Sequence, residues 1–226
     1  MNSKFILSFA LAATLAACGG DGNNTPPAPP PPAVAPTHLS YTDPTSTGWR
    51  LVKDASSTDT KIVLNLVGPS GLQTRGVGFN LKKGMGLAFG TFASGGYAFD
   101  TGVFQLKGTN TDFAPYAGTA ADPVLFVSAP LKSGDVLSTG IFQKDRNVVP
   151  KDSAAPLVQV AVTLGDFTKL DLATVNASAD PYGVHVVKAR LVPADIGGWT
   201  SPDAELVAKA KMQDITIDTG TITATP

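Results

Sequence analysis

The sequence predicts an all-β chain folded as an antiparallel β-sandwich, and three observations predict it. About ten short segments alternate apolar and polar residues, with turn residues between them and no long amphipathic helix joining them. Glu205 is the sole glutamate among 18 acidic residues, the rest being aspartate. Aspartate bonds to neighbouring backbone and favours turns and caps, whereas glutamate favours helix interiors. The 23 glycines and 18 prolines supply the punctuation such a chain needs. A closed barrel is the alternative arrangement of the same strands. No fixed-period repeat is visible, which counts against propellers and solenoids.

The first residues have the parts of an export signal. Lys4 gives a positive start, Phe5 to Ala17 an apolar run, and Ala16 and Ala17 the small residues before a cut. The run is too short to span a bilayer, which takes about 20 residues. It closes on Leu15-Ala16-Ala17-Cys18, and Cys18 is the single cysteine. That stretch resembles the lipobox of bacterial lipoproteins. The resemblance implies cleavage between Ala17 and Cys18, a diacylglyceryl group on the Cys18 sulfur and an acyl chain, of the palmitate kind, on its new amine. Two or more acyl chains hold a protein stably at a membrane. Gly19 rather than aspartate comes after the cysteine, which by the same resemblance implies release to the outer membrane. A lipoprotein of the bacterial envelope is therefore expected, facing either the periplasm or the exterior.

Residues 1–17 are thus the signal peptide, and residues 18–37 the lipidated cysteine with a tether. Gly19 to Asn24 is flexible, and Pro26, Pro27, Pro29 to Pro32 and Pro36 come next. Such a run favours polyproline II at about 3.1 Å per residue and reaches on the order of 50 Å. Residues 38–226 remain for one sandwich domain. The formal charge of the chain is −1 and its pI about 6.1, so it carries no electrostatic footprint for nucleic acid. With one cysteine, no intramolecular disulfide can form.

In chain order, the first expected strand is Trp49 to Lys53. Lys61 to Val67 places Ile62, Leu64 and Leu66 on one face and stops at Gly68-Pro69-Ser70-Gly71. Val77, Phe79 and Leu81 alternate next, and Met85, Leu87 and Phe89 come after a Lys82-Lys83-Gly84 turn. Tyr97 to Phe99, Val103 to Leu106, Val124 to Ser128 and Val136 to Gln143 continue the series. Leu157 to Leu164 has the cleanest alternation, with Val158, Val160, Val162 and Leu164 facing one way. Residues 203–212 read as a strand alternating Leu206, Ala208, Ala210 and Met212, or as a short helix after Ser201-Pro202. Val184 to Val192 and Ile215 to Ile222 complete the set.

Some of these runs resemble a known family. Lys61-Ile-Val-Leu-Asn-Leu-Val67, Gly71-Leu72, Val77-Gly-Phe-Asn-Leu81 and Leu87-Ala-Phe89 are similar to the opening strands of cohesin-like domains. Ser133-Gly134-Asp135-Val136-Leu137, leading to Gly140-Ile141-Phe142, is similar to a later strand of theirs. The resemblance covers about half of the globular region. It implies a jelly-roll sandwich that binds a partner protein, and related sandwiches bind polysaccharides.

The residues that could carry chemistry are few. The chain has 2 histidines. His38 stands at the mouth of the tether, where exposure is expected. His185 lies in Gly183-Val184-His185-Val186-Val187, on the face it would share with Val187, Ala189 and Leu191, and reads as a hydrogen-bonded core or rim residue. No histidine pair or second cysteine exists to build a zinc site, and no Gly-x-Ser-x-Gly elbow occurs. Gly76-Val77-Gly78 and Gly84-Met85-Gly86 each look like half of a dinucleotide fingerprint, but both sit among strands and read as hairpin turns and bulges. Asp100, Asp112, Asp122, Asp135, Asp145 and Asp152 fall in expected loops; a close pair would suit glycoside hydrolysis. Calcium would suit the same carboxylates, yet no Asp-x-Asp-x-Asp-Gly loop supports it. Trp199 and Tyr116 are the aromatic rings best placed to stack on a sugar, against the alternative that they fill the core.

No catalytic, cofactor or metal residue is therefore assigned. The expected function is a non-enzymatic binding module on a membrane anchor, its partner an envelope protein or a polysaccharide. The alternatives are a lipid-anchored hydrolase working through loop aspartates, or a structural assembly factor of the envelope with an exposed sheet edge.

Overall fold

A computed structural model describes residues 33–100, 117–118, 123–143, 148–195 and 211–226. The first strands are β1 (His38–Thr42), β2 (Arg50–Lys53), β3 (Lys61–Val67), β4 (Gln73–Lys83), β5 (Leu87–Gly90) and β6 (Ala98–Asp100). Then come β7 (Ala117–Gly118), β8 (Pro123–Pro130), β9 (Val136–Gln143), β10 (Lys151–Asp152) and β11 (Val158–Leu164). A short helix α1 (Leu172–Ala177) precedes β12 (Val184–Pro193), β13 (Gln213–Asp214) and β14 (Thr221–Thr225).

The strands form a β-sandwich, not a closed barrel. The larger sheet has 7 strands in the order β13-β12-β4-β9-β8-β7, with β10 also on β4. The smaller has 5, β2-β3-β11-β5, with β6 beside β11. β5 and β6 pair with successive halves of one edge of β11, Leu164 to Ala161 and Val160 to Val158. β1 and β14 make a separate ribbon of the two termini.

Period-2 alternation builds the core. Ile62, Leu64 and Leu66 of β3 and Val158, Val160 and Val162 of β11 meet Val77, Phe79 and Leu81 of β4 and Leu137 and Ile141 of β9 in one buried cluster. Burying each such side chain contributes about 1.5–3 kcal/mol. The expected spans of β3 and β9 are the observed ones, and those of β8, β11 and β12 are off by a residue or two.

Four expectations change. The sequence predicts no strand before Trp49, but β1 buries Leu39 and Tyr41 against the core. Met85 is not an inward strand residue; it sits in the β4–β5 turn and is exposed. Ile215 to Ile222 is not one strand. The Ile215 amide still bonds to Ala189 O of the large sheet (3.1 Å), whereas the Asp218 amide already bonds to Trp49 O beside the small one (2.8 Å). A chain changing sheets cannot keep a continuous ladder.

The fourth is a bulge. β12 pairs regularly with β4 except at two places: between Val186 and Lys188, where Val187 is the extra residue, and between Val192 and Pro193, where Arg75 of β4 is skipped. A bulge inverts the parity of the strand residues beyond it. His185 and Val187 point outward, as do Lys188 and Arg190, while Ala189 and Leu191 are buried. His185 therefore does not share a face with Ala189 and Leu191. Residues 103–106 and 203–210 lie outside the described residues.

Candidate functional site

The register of the large sheet lays out its outer face in ranks. Lys188 of β12 stands beside Asn80 of β4, then Ser138 of β9, then Ala129 of β8. The next rank is Arg190, Gly78, Gly140 and Val127, and the next Val192, Gly76, Phe142 and Leu125. The inward neighbours of these residues fill the core, so strand alternation alone fixes which side chains this face presents.

Glycines hollow the face. Gly78, Asn80, Ser138, Gly140, Phe142 and Lys188 are among the residues that line a trough of about 340 Å³. The Phe142 ring lies across the glycine positions: a Cβ at Gly76 would stand 2.5 Å from its Cδ1, one at Gly78 2.9 Å from its Cζ and one at Gly140 2.8 Å from its Cε2. Gly76 and Gly78 are thus mid-strand residues that make room for a ring and form no turn; Gly76 borders the second irregularity of the β4–β12 pairing, so the bulge expected here falls beside it. Gly84 and Gly86 do lie at a turn, but it carries the chain from β4 of the large sheet to β5 of the small one and is not the hairpin that their spacing suggests. Phe142 packs with Val192 and Met212 in a small apolar cluster outside the main core.

The polar groups on the trough are open to a ligand. Lys188 is exposed and Asn80 and Ser138 are half-buried, and none of the three side chains has a hydrogen-bond partner among the described residues. Arg190 is held by Asp214 of β13, Nε to Oδ1 at 3.0 Å. Val127, on the opposite wall, is 43% exposed.

A second hollow lies at one end of the sandwich, where the β4–β5 turn, the β8–β9 loop and the segment after α1 converge. It measures about 580 Å³ and is lined by Lys82, Lys83, Met85, Asp135, Asp180 and His185, among others. The turn is fastened to the segment before β12 by the Gly84 amide on Gly183 O and the Gly86 amide on Pro181 O, each 2.8 Å. His185 Nε2 lies 2.7 Å from Asp180 Oδ2, a surface pair. Desolvation holds the Lys83 ammonium below its ordinary pKa, and a hydrogen bond from Ser133 holds the Asp135 carboxyl below its own.

Among the described loop aspartates, Asp135 and Asp152 do not pair as glycoside hydrolysis requires. Asp152 is in register with Gln73 at the start of β4, whereas Asp135 O accepts from the amide of Lys83 at its end. Ten residues of strand, about 30 Å, separate them. Asp152 caps the Ala154 amide (3.0 Å), a turn role. Asp100 lies on β6, in register with Val158, not in a loop. Asp112, Asp122 and Asp145, the expected anchor Cys18 with Ala17, and the rings Trp199 and Tyr116 lie outside the described residues. No group of three or more histidine, cysteine or acidic side chains gathers to hold a metal among the described residues. His38 is exposed beside Asp59, Nε2 to Oδ2 at 3.6 Å. No helix among the described residues is long and apolar enough to cross a membrane.

Sequence reasoning missed Lys188, Arg190, Asn80, Ser138 and Phe142 as one group. Alternation marks each as outward on its strand once the bulge is known, but only the pairing of β12, β4 and β9 makes them neighbours.

Fold and face together define an antiparallel β-sandwich with a hollowed, polar outer sheet. No family model and no curated protein matches the chain. Among solved structures it is similar to a type II cohesin domain from the cellulosome of Acetivibrio cellulolyticus, at 10% identity, over 79% of this chain and 94% of that one, with a TM-score of 0.37. At that identity the likeness concerns the fold alone.

Proposed function

We propose that this chain is a non-enzymatic binding module of the bacterial envelope, taking an envelope protein or a polysaccharide across the outer face of its large sheet. Cys18 carries the lipid that anchors it at the outer membrane, and the Gly/Asn/Pro-rich tether displays the domain. One observation carries the reading: half-buried Asn80 and Ser138, unpartnered among the described residues, stand beside the Phe142 ring on its glycine bed and next to exposed Lys188. The polar atoms of both side chains are not sealed from solvent, so a row of them beside a hollow suits a ligand's polar groups. The separation of Asp135 from Asp152 counts against a hydrolase built on that pair.

A photo-crosslinking residue at position 138, introduced into the full chain in its native cells, tests this. The expected result is a discrete adduct or a glycan smear that is absent when the same residue stands at exposed position 40. Equal yields at both positions, or none at either, would overturn the assignment of this face.

A further inference from the structure

We infer that the ligand of this face is an acidic polysaccharide, its carboxylates met by Lys188, Arg190 and Lys82 and its hydroxyls by Asn80 and Ser138. The inference rests on the reading of the sheet face as the binding surface and specifies what it binds.

The first argument is charge. The chain as a whole carries −1, yet Lys188 and Arg190 line one wall of the trough, and Lys82 stands on the same face beyond it. Lys188 stands beside Asn80, Arg190 beside Gly78, and His185 beside Lys82. Successive outward residues along a strand are about 7 Å apart, so the cations form a ladder, not a point. Three acids face these groups among the described residues: Asp214 holds Arg190, Asp180 pairs with His185, and Asp135 lies in electrostatic reach of Lys82. Lys82 and Lys188 make no ion pair among the described residues and are exposed. A ladder of positive charge calls for a ligand with repeated negative charge.

The second argument is the floor. Gly78 and Gly140 face each other across β4 and β9, and with no side chains of their own they let the Phe142 ring lie low over them as a flat floor. A broad group can therefore settle between the cationic wall and Val127. The amide of Asn80 and the hydroxyl of Ser138 each donate and accept, which matches a surface of vicinal hydroxyls better than one of peptide side chains. A protein interface would need an apolar, charge-poor centre, and here the apolar lining of Phe79, Val127, Phe142 and Met212 has charged residues directly beside it. Carboxylates at intervals along a hydroxyl-rich chain satisfy both features at once.

The test uses affinity electrophoresis of the full-length lipidated protein in detergent through gels holding alginate (a polyuronate), dextran or poly-L-glutamate. Alginate is expected to retard the protein while dextran and poly-L-glutamate leave it unchanged. Lys188→Glu is expected to weaken the alginate interaction about tenfold with an unchanged melting temperature, the scale of one lost charge-assisted contact. Asn80→Ala, which leaves charge untouched, should weaken it as well. Retardation by poly-L-glutamate equal to that by alginate reduces the face to a plain anion exchanger and overturns the inference. So does alginate binding that ignores both substitutions. If crosslinks form at position 138 but alginate does not bind, the inference falls while the sheet face stands as the binding surface; if neither occurs, both fall.

Discussion

The Tyr41 hydroxyl accepts a hydrogen bond from the Gly220 amide at 2.6 Å while donating to the Leu51 carbonyl at 2.9 Å. One side chain of β1 thus ties the approach to β14 to β2, and so closes the terminal ribbon onto the small sheet. The ring is buried against the core. A Cβ at Gly220 would meet the Thr42 carbonyl and the Tyr41 ring at less than contact distance, so this close approach needs glycine.

Tyr41→Phe should therefore cost about 1–3 kcal/mol, because it leaves the buried Leu51 carbonyl and the part-buried Gly220 amide without this partner. Urea denaturation at neutral pH measures it, and a loss below about 0.5 kcal/mol would show that water replaces the hydroxyl.

The same residue gives a pH signature. Burial pushes the Tyr41 pKa from 10.0 up to about 12. A raised pKa means that the folded state holds the proton more tightly. Its contribution is complete below pH 10 and is lost as pH rises from 10 toward 12. Over that window the wild type should lose about 1.4 kcal/mol per pH unit more than Tyr41→Phe. Parallel curves for the two proteins would show that the phenol ionises without regard to folding.

How far the sequence could be read depends on which interactions are local. β3 and β11 were legible because Ile62-Leu64-Leu66 and Val158-Val160-Val162 repeat at the strand period and end at turn residues. The outward row on β12 was not, because the Val187 bulge is imposed by pairing with β4 and leaves no mark in the run Val184 to Val192. Ile215 to Ile222 has the composition of a strand but crosses from one sheet to the other, a property of the partners and not of the segment. Gly76, Gly78 and Phe142 are separated along the chain, and only the β4–β9 register makes the glycines the bed of the ring. The trough was illegible for that reason.

Cys18→Ala tests the anchor. The variant is expected to take up no palmitate analogue and to persist as the uncleaved precursor, read by metabolic labelling and intact mass. Labelling equal to that of the wild type would remove the lipid from Cys18, and with it the reason to place the chain at the outer membrane.

The glycines under Phe142 make different predictions although they lie on one strand. At Gly76 an added Cβ meets backbone, the Ile141 carbonyl at 2.5 Å and Phe142 Cα at 2.6 Å, as well as the ring. At Gly78 its close contact is the Phe142 ring end, 2.9 Å, with the Thr139 carbonyl at 3.4 Å. Gly76→Ala and Gly78→Ala should each destabilise by about 1–3 kcal/mol through overpacking. Gly48→Ala, with nothing within 4 Å of the new Cβ, should be near neutral. Removing the ring separates the two. In a Phe142→Ala background the Gly78→Ala penalty should vanish, because alanine there meets nothing closer than ordinary contact and suits a strand better than glycine. The Gly76→Ala penalty should persist, because backbone cannot move aside. A double-mutant cycle by chemical denaturation reads both, with a coupling of about 1 kcal/mol or more at Gly78 and little at Gly76. Equal coupling at the two positions would mean that the ring, and not the β9 backbone, sets the space over Gly76.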